Sequence, residues 1–166
     1  RFAGELFMET AVKVFLSQGI HVRMSRGFVS TPMISLAANQ FNSEIGVILT
    51  ASHNPPSYNG YKLKAYFGGP LAPWHVQEVE DMIPDTCSID FEKVSIEGAI
   101  AAGQCEVVDF ETRYVEHVMK NFDIDAIKNS GFFTYSYFGA NTSGCKYGWH
   151  AIACSHASKC KCSLRY

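Results

Sequence analysis

Ser52, His53, Lys62 and Lys64 lie close together in the stretch VILTASHNPPSYNGYKLKAY, which joins two apolar runs. A serine hydroxyl can act as a nucleophile or carry a phosphoryl group where cations or a metal neutralise the charge that phosphate brings. His53, Lys62 and Lys64 are the local cations. Pro55 and Pro56 fix φ and push Asn54 out of the helical region, and YNGY supplies a turn in which Gly60 can take positive φ. The loop is therefore stiff, and it presents Ser52 and His53 directly after an apolar strand. Neighbouring side chains on extended backbone point opposite ways, so His53 either serves Ser52 as a base or contacts a substrate phosphate. Lys62 returns toward Ser52 if the turn folds the chain back, which makes it the group to assist proton or phosphoryl transfer. The plainer alternative is a turn serine, a structural histidine and a solvated strand face.

The elements that position this loop follow from periodicity. Phe2, Leu6, Ala11, Val14 and Phe15 recur at helical spacing up to Gln18, and Gly19 stands where a helix end wants positive φ. A short strand is expected around His21 to Met24, then a helix from Pro32 to Phe41 with Thr31 as its N-cap. Glu44 to Thr50 is a compact β-branched run and reads as a buried strand. YKLKAYF alternates basic with apolar residues, which predicts a strand with Lys62 and Lys64 on a wet face. Trp74 to Ile83 is a third helix, and Phe110, Tyr114, Val118 and Phe122 mark a fourth. Alternating helices and strands predict an α/β fold, a mixed sheet flanked by helices. Pro84 to Gln104, with weak periodicity, reads as a connection between two domains.

The order TASHNPPSYNGYK closely resembles the phosphoserine loop of the α-D-phosphohexomutases, the phosphoglucomutase/phosphomannomutase family, whose signature is a T/S-A-S-H-N-P run followed by N-G-x-K. RFAGELFMETAVKVFLSQGIHV is similar to the family's first helix and strand, and STP to its T-P helix start. The resemblance implies an enzyme that interconverts hexose 1-phosphate and hexose 6-phosphate through a bisphosphate. Ser52 would be the phosphoserine, with His53 and Lys62 matching the family's histidine and lysine, Asn54 and Asn59 contacting substrate, and Mg²⁺ held by the serine phosphate and by aspartates elsewhere. YNGYK leans toward phosphoglucomutase over phosphomannomutase.

The chain carries no D-G-D-x-D-R metal loop, no G-E-x-S-G sugar loop and no S-G-T phosphate loop. The expectation is therefore a truncated phosphohexomutase, inactive alone. Residues 1–100 would form domain I, with the phosphoserine loop at 50–62, and residues 101–133 the start of domain II. Order is expected to loosen beyond about residue 105. All 16 acidic residues lie at or before Asp125, and Cys145, Cys154, Cys160 and Cys162 crowd the end. Residues 134–166 are thus expected to be an atypical, poorly ordered tail produced by a shift of reading frame near Phe133. Two alternatives stand beside this: a serine-dependent phosphatase or other phosphoryl transferase, and a small zinc module formed by the tail cysteines with His156. A net charge of -2 gives no bulk reason for nucleic acid or an anionic membrane as partner. With no apolar run of spanning length and no signal-peptide pattern, a cytoplasmic protein is expected, its oligomeric state open.

Overall fold

A computed structural model of the chain describes residues 3–52, 54–55 and 57–130. The cysteine-rich tail, its zinc alternative and the expected frame shift lie outside the described residues. Helix α1, Gly4–Ser17, closes as expected: Gly19 has φ 75°, its N–H donates to the Leu16 carbonyl, and the Ile20 N–H reaches back to Phe15. This crossed pair satisfies carbonyls that a helix end leaves open. The buried stripe differs from the one expected. Val12 and Leu16 are buried with Met8 packed beside them, whereas Leu6 is 60% exposed. Apolar residues occur on several faces of α1, so its periodicity marks the helix without selecting the face.

Strand β1, Val22–Ser25, leads to α2, Thr31–Gln40. The N-cap of α2 is Ser30 in extended backbone, so Thr31 is the first helical residue and not the cap, and Pro32 sits in the first turn where no N–H is needed. Strand β2, Ile45–Leu49, pairs antiparallel with β3, Tyr61–Ala65, with Ile48 opposite Lys62 and Gly46 opposite Lys64. Of the β2 residues only Ile48 is buried. Helix α3, Pro73–Asp81, follows and buries none of its residues.

The expected connection contains a further helix, α4, Ile96–Ala101, started by Ser95, whose hydroxyl accepts the Gly98 N–H at 3.0 Å. A six-residue helix is marginal by itself, and packing holds this one: Ala99 joins Val12 and Leu16 in the core. Strand β4, Cys105–Val108, pairs parallel with β1, Val22 opposite Cys105. Helix α5, Phe110–Asn121, packs against α2, and its end is followed by α6, Ile124–Asn129. Tyr114 and Val118 are half-buried on the stripe that Phe110 begins, while Phe122 is exposed. Strand β4 and helix α5, in the stretch expected to open a second domain, thus pack back on the first elements. Loose order from residue 105 does not describe β4 and α5, because Cys105, 2% exposed, enters the α1 core and Phe110 packs edge-on to Phe41.

The architecture is α/β, as expected, with one refinement. Among the described residues the strands form two separate two-stranded ladders, β1–β4 parallel and β2–β3 antiparallel. No helix among the described residues is long and apolar enough to cross a membrane.

Candidate active site

The stretch between β2 and β3 leaves the ladder through a narrow neck. The Thr50 N–H donates to the Gly60 carbonyl at 2.9 Å, extending the ladder one step past Leu49 and Tyr61. A Cβ at position 60 would lie 2.6 Å from the Thr50 carbonyl oxygen. Gly60 is therefore required for close approach. The positive φ open to a glycine there is not adopted: among the described glycines that conformation occurs at Gly19, Gly68 and Gly103.

Beyond the neck the chain reverses at once. Ala51 is buried, and its carbonyl accepts the Asn54 N–H at 2.9 Å, closing a turn in which Ser52 is the second residue. Ser52 is exposed and has φ 53°, in the left-handed region. For a residue with a Cβ this conformation costs about 1–2 kcal/mol. The cost is offset locally, since the Ser52 N–H donates to the Thr50 hydroxyl oxygen at 3.1 Å. A second turn follows, Tyr58 N–H to the Pro55 carbonyl at 3.0 Å, and the Asn59 side-chain oxygen accepts the Gly60 N–H at 2.9 Å. Ser52 is thus presented at the end of a strand by backbone that hydrogen bonds hold on both sides.

Ser52, Asn54 and Asn59 all lie on the loop side of the neck and are exposed. Lys62 lies on the other side, opposite Ile48, two residues into the ladder. His53 and Pro56 lie outside the described residues. The lysine-bearing face of β3 is the wet face expected only at Lys62, and at Lys64 it is partly covered. Residues directly opposite in an antiparallel pair share a face, so Lys62 and Lys64 share theirs with Ile48 and Gly46. That face meets α2: a Cβ at Gly46 would lie 3.2 Å from Ile34, 3.2 Å from the Lys64 Cβ and 3.4 Å from Ala38. A glycine opposite Lys64 leaves room for the helix, and the Lys64 stem is half-buried while Lys62, nearer the neck, is exposed. Beside Lys62, burial pushes the Tyr61 phenol up from its ordinary value.

Sequence reasoning passed over Thr50. The available signal was a threonine two residues before the serine, a spacing at which a hydroxyl can accept a backbone N–H. As for magnesium, the described residues hold no group of three or more His, Cys, Asp or Glu able to bind a metal ion. Mg²⁺ demands near-octahedral oxygen coordination, and these residues do not supply it by themselves.

The profile of the phosphoglucomutase/phosphomannomutase α/β/α domain I matches residues 1–90, which include the whole loop. The chain belongs to this family. It is 33% identical over 135 residues to a phosphoglucomutase of Komagataeibacter xylinus, covering 75% of this chain and 24% of that protein. Identity to a phosphoglucomutase/phosphomannomutase of Thermococcus kodakarensis is 34% over 128 residues, 77% of this chain and 26% of the relative. A phosphoglucosamine mutase of Clostridium kluyveri is 31% identical over 127 residues, 75% of this chain and 27% of that protein. The fold is also similar to the crystal structure of a Thermus thermophilus protein assigned as a phosphomannomutase. That similarity has a TM-score of 0.65 and 30% identity, and covers 81% of this chain and 28% of the other. The chain therefore spans about a quarter of the length of the curated relatives it matches.

Proposed function

We propose that this chain supplies the phosphoserine segment of a phosphohexomutase that interconverts hexose 1-phosphate and hexose 6-phosphate through a bisphosphate. The observation that carries this reading is Ser52, exposed and held in a left-handed turn directly after β2, inside the segment that matches the family. In the forward half-reaction the Oγ–P bond of phosphorylated Ser52 breaks and a P–O bond forms to a free hydroxyl of the hexose monophosphate. The proton of that hydroxyl leaves, and Ser52 returns to the alcohol. The bisphosphate then returns its other phosphoryl group to Ser52, so no phosphate is released to water.

Lys62 is proposed to assist the transfer by bringing positive charge toward the reacting oxygens, and His53 to act as the loop's second cation. Asn54 and Asn59, on the same side of the neck as Ser52, are proposed to contact the substrate. Phosphorylated Ser52 would give Mg²⁺ one oxygen ligand, and the ion would supply charge neutralisation. Its remaining ligands are not furnished by the described residues.

Glucose phosphate is favoured as the substrate on the YNGYK run, while the relatives' names span glucose, mannose and glucosamine phosphates. A cytoplasmic location belongs to the same proposal. So does the division into domain I over 1–100 and the start of domain II over 101–133.

The test is phosphoryl capture. The chain is incubated with glucose 1,6-bisphosphate and Mg²⁺, and its intact mass and phosphorylation sites are read. Capture is one stoichiometric half-reaction and needs no turnover, so one phosphoryl group on Ser52, absent in Ser52→Ala, is expected. Modification at other residues, or equal modification of Ser52→Ala, would count against the reading. Release of inorganic phosphate matching capture would favour a phosphatase.

A further inference from the structure

We propose that Thr50 is a positioning residue for Ser52, coupling the neck of the loop to the backbone that carries the reacting hydroxyl. The catalytic meaning of this inference rests on the phosphoserine reading, but the geometry does not. Thr50 joins three constraints. Its N–H is bound to the Gly60 carbonyl at 2.9 Å, and its own carbonyl abuts Gly60 so closely that a Cβ would stand 2.6 Å away. Its hydroxyl oxygen accepts the Ser52 N–H at 3.1 Å. The first two fix Thr50 against β3. The third carries that fixed position two residues onward, to a serine in the left-handed conformation.

Left-handed backbone is disfavoured for a residue with a Cβ, so Ser52 keeps it only where its surroundings over-determine it. Ala51, buried below it, anchors one side of the turn through the Asn54 N–H. Thr50 holds the other. Phosphoryl transfer is governed by alignment of the attacking and leaving oxygens, so a small rotation of the Ser52 backbone displaces Oγ from the line of attack. Thr50 thus takes up the Ser52 N–H within the turn itself.

Thr50→Val keeps the shape and removes the acceptor, while Thr50→Ser keeps the hydroxyl. Two readouts are made on the full chain. The first is amide hydrogen exchange at Ser52, with the intraresidue HN–Hα cross-relaxation that is strong at positive φ. The second is the rate of phosphoryl capture from glucose 1,6-bisphosphate with Mg²⁺, against bisphosphate concentration. In Thr50→Val the Ser52 amide is expected to exchange about three- to tenfold faster. The maximal capture rate is expected to fall by about tenfold or more, with little change in the concentration giving half-maximal rate. Thr50→Ser should restore both.

Ser52 exchange and cross-relaxation in Thr50→Val equal to the wild type would overturn the proposal, as would a Thr50→Ser variant no better than Thr50→Val. If Thr50→Val loses protection throughout β2 and β3, the wild type decides: weak HN–Hα cross-relaxation at Ser52 overturns the proposal, and strong cross-relaxation with recovery in Thr50→Ser sustains it. A wild-type chain that takes up phosphoryl groups at residues other than Ser52, but whose Ser52 amide responds to Thr50→Val, sinks the phosphoserine reading and leaves the positioning role supported. Equal capture by wild type and Thr50→Val does the reverse.

Discussion

The β1–β4 ladder is held by burial, and the loop of the β2–β3 ladder by hydrogen bonds at a neck. Around the first ladder Val12, Leu16, Ala99 and Cys105 share one apolar cluster, and Ser95 and Asp109 cap the helices on either side of β4 with their side chains. Around the second, Ala37, Ala38, Ile48, Ala51 and Ala65 are the buried residues, nearly all of them alanine, and the described loop residues from Ser52 to Asn59 are exposed. Small buried side chains contribute little transfer free energy, about 25 cal/mol per Å² of apolar area. The serine loop is therefore defined by directional contacts, which fix an orientation and add little stability. On the proposed function, stability and reactivity are carried by different regions of the molecule, and substitutions can be chosen to separate them.

The widest separation is expected between Ser52→Ala and Leu16→Ala. The first should abolish phosphoryl capture completely while leaving thermal stability within about 0.5 kcal/mol of wild type, since Ser52 is an exposed residue. The second empties a site that is 5% exposed and should cost about 2–5 kcal/mol, a large part of the 5–15 kcal/mol typical of a domain. Denaturant melts beside capture assays on both variants check this. If Ser52→Ala melts as early as Leu16→Ala, the loop is part of the core and the contrast fails.

Gly60→Ala comes next, because it acts at the join between the regions. The added Cβ meets the Thr50 carbonyl oxygen, a backbone atom that moves only if the neck opens. Overpacking of this kind costs about 1–3 kcal/mol, and the opening should also release Ser52. Capture and stability are thus expected to fall together, unlike in either variant above. A stable Gly60→Ala chain with normal capture would show that the neck does not hold the loop. Ser95→Ala removes the cap of α4 and should cost about 1 kcal/mol with capture unchanged.

How far the sequence revealed this arrangement depended on the range of each signal. The α/β alternation and the helices at Gly4–Ser17, Thr31–Gln40, Pro73–Asp81 and Phe110–Asn121 were legible because each element has its own periodicity. The serine loop was legible from residue order, with both halves of the motif in register on either side of its prolines. The pairing of β4 with β1 was not, since Val22 and Cys105 are far apart in sequence and a four-residue strand gives no pattern that names its partner. Helix α4 was hidden for a related reason: six residues with one buried alanine form a helix only because α1 lies beneath them. The lysine face of β3 was misread at Lys64 because alternation shows which residues share a face, while Gly46 on the neighbouring strand determines that α2 covers it there. The left-handed serine was invisible because it depends on a hydroxyl two residues away acting together with a glycine ten residues from that hydroxyl.

The smallest effect concerns the capped side and its response to acid. Asp109 accepts the Thr112 N–H at 3.0 Å and the Thr112 hydroxyl at 2.7 Å, and these bonds, that amide foremost, hold its carboxyl below the usual carboxylate range. Glu97, bonded at its own N–H and by the Ser95 hydroxyl, is lowered as well. A carboxyl whose folded pKa is depressed gives the folded state stability that is present above the unfolded value, about 3.9 for aspartate, and is lost as pH falls through the folded value. Asp109→Asn keeps an oxygen to cap the helix but has no charge to titrate. Its melting temperature should lie somewhat below wild type at neutral pH, and from about pH 4 downward the wild-type curve should fall more steeply until the two converge. Asp109→Ala should lie below both at neutral pH and meet the wild type in acid. Parallel curves for wild type and Asp109→Asn down to low pH would mean that the charge at this cap does nothing for the β4–α5 corner, leaving burial alone to hold that side of the molecule.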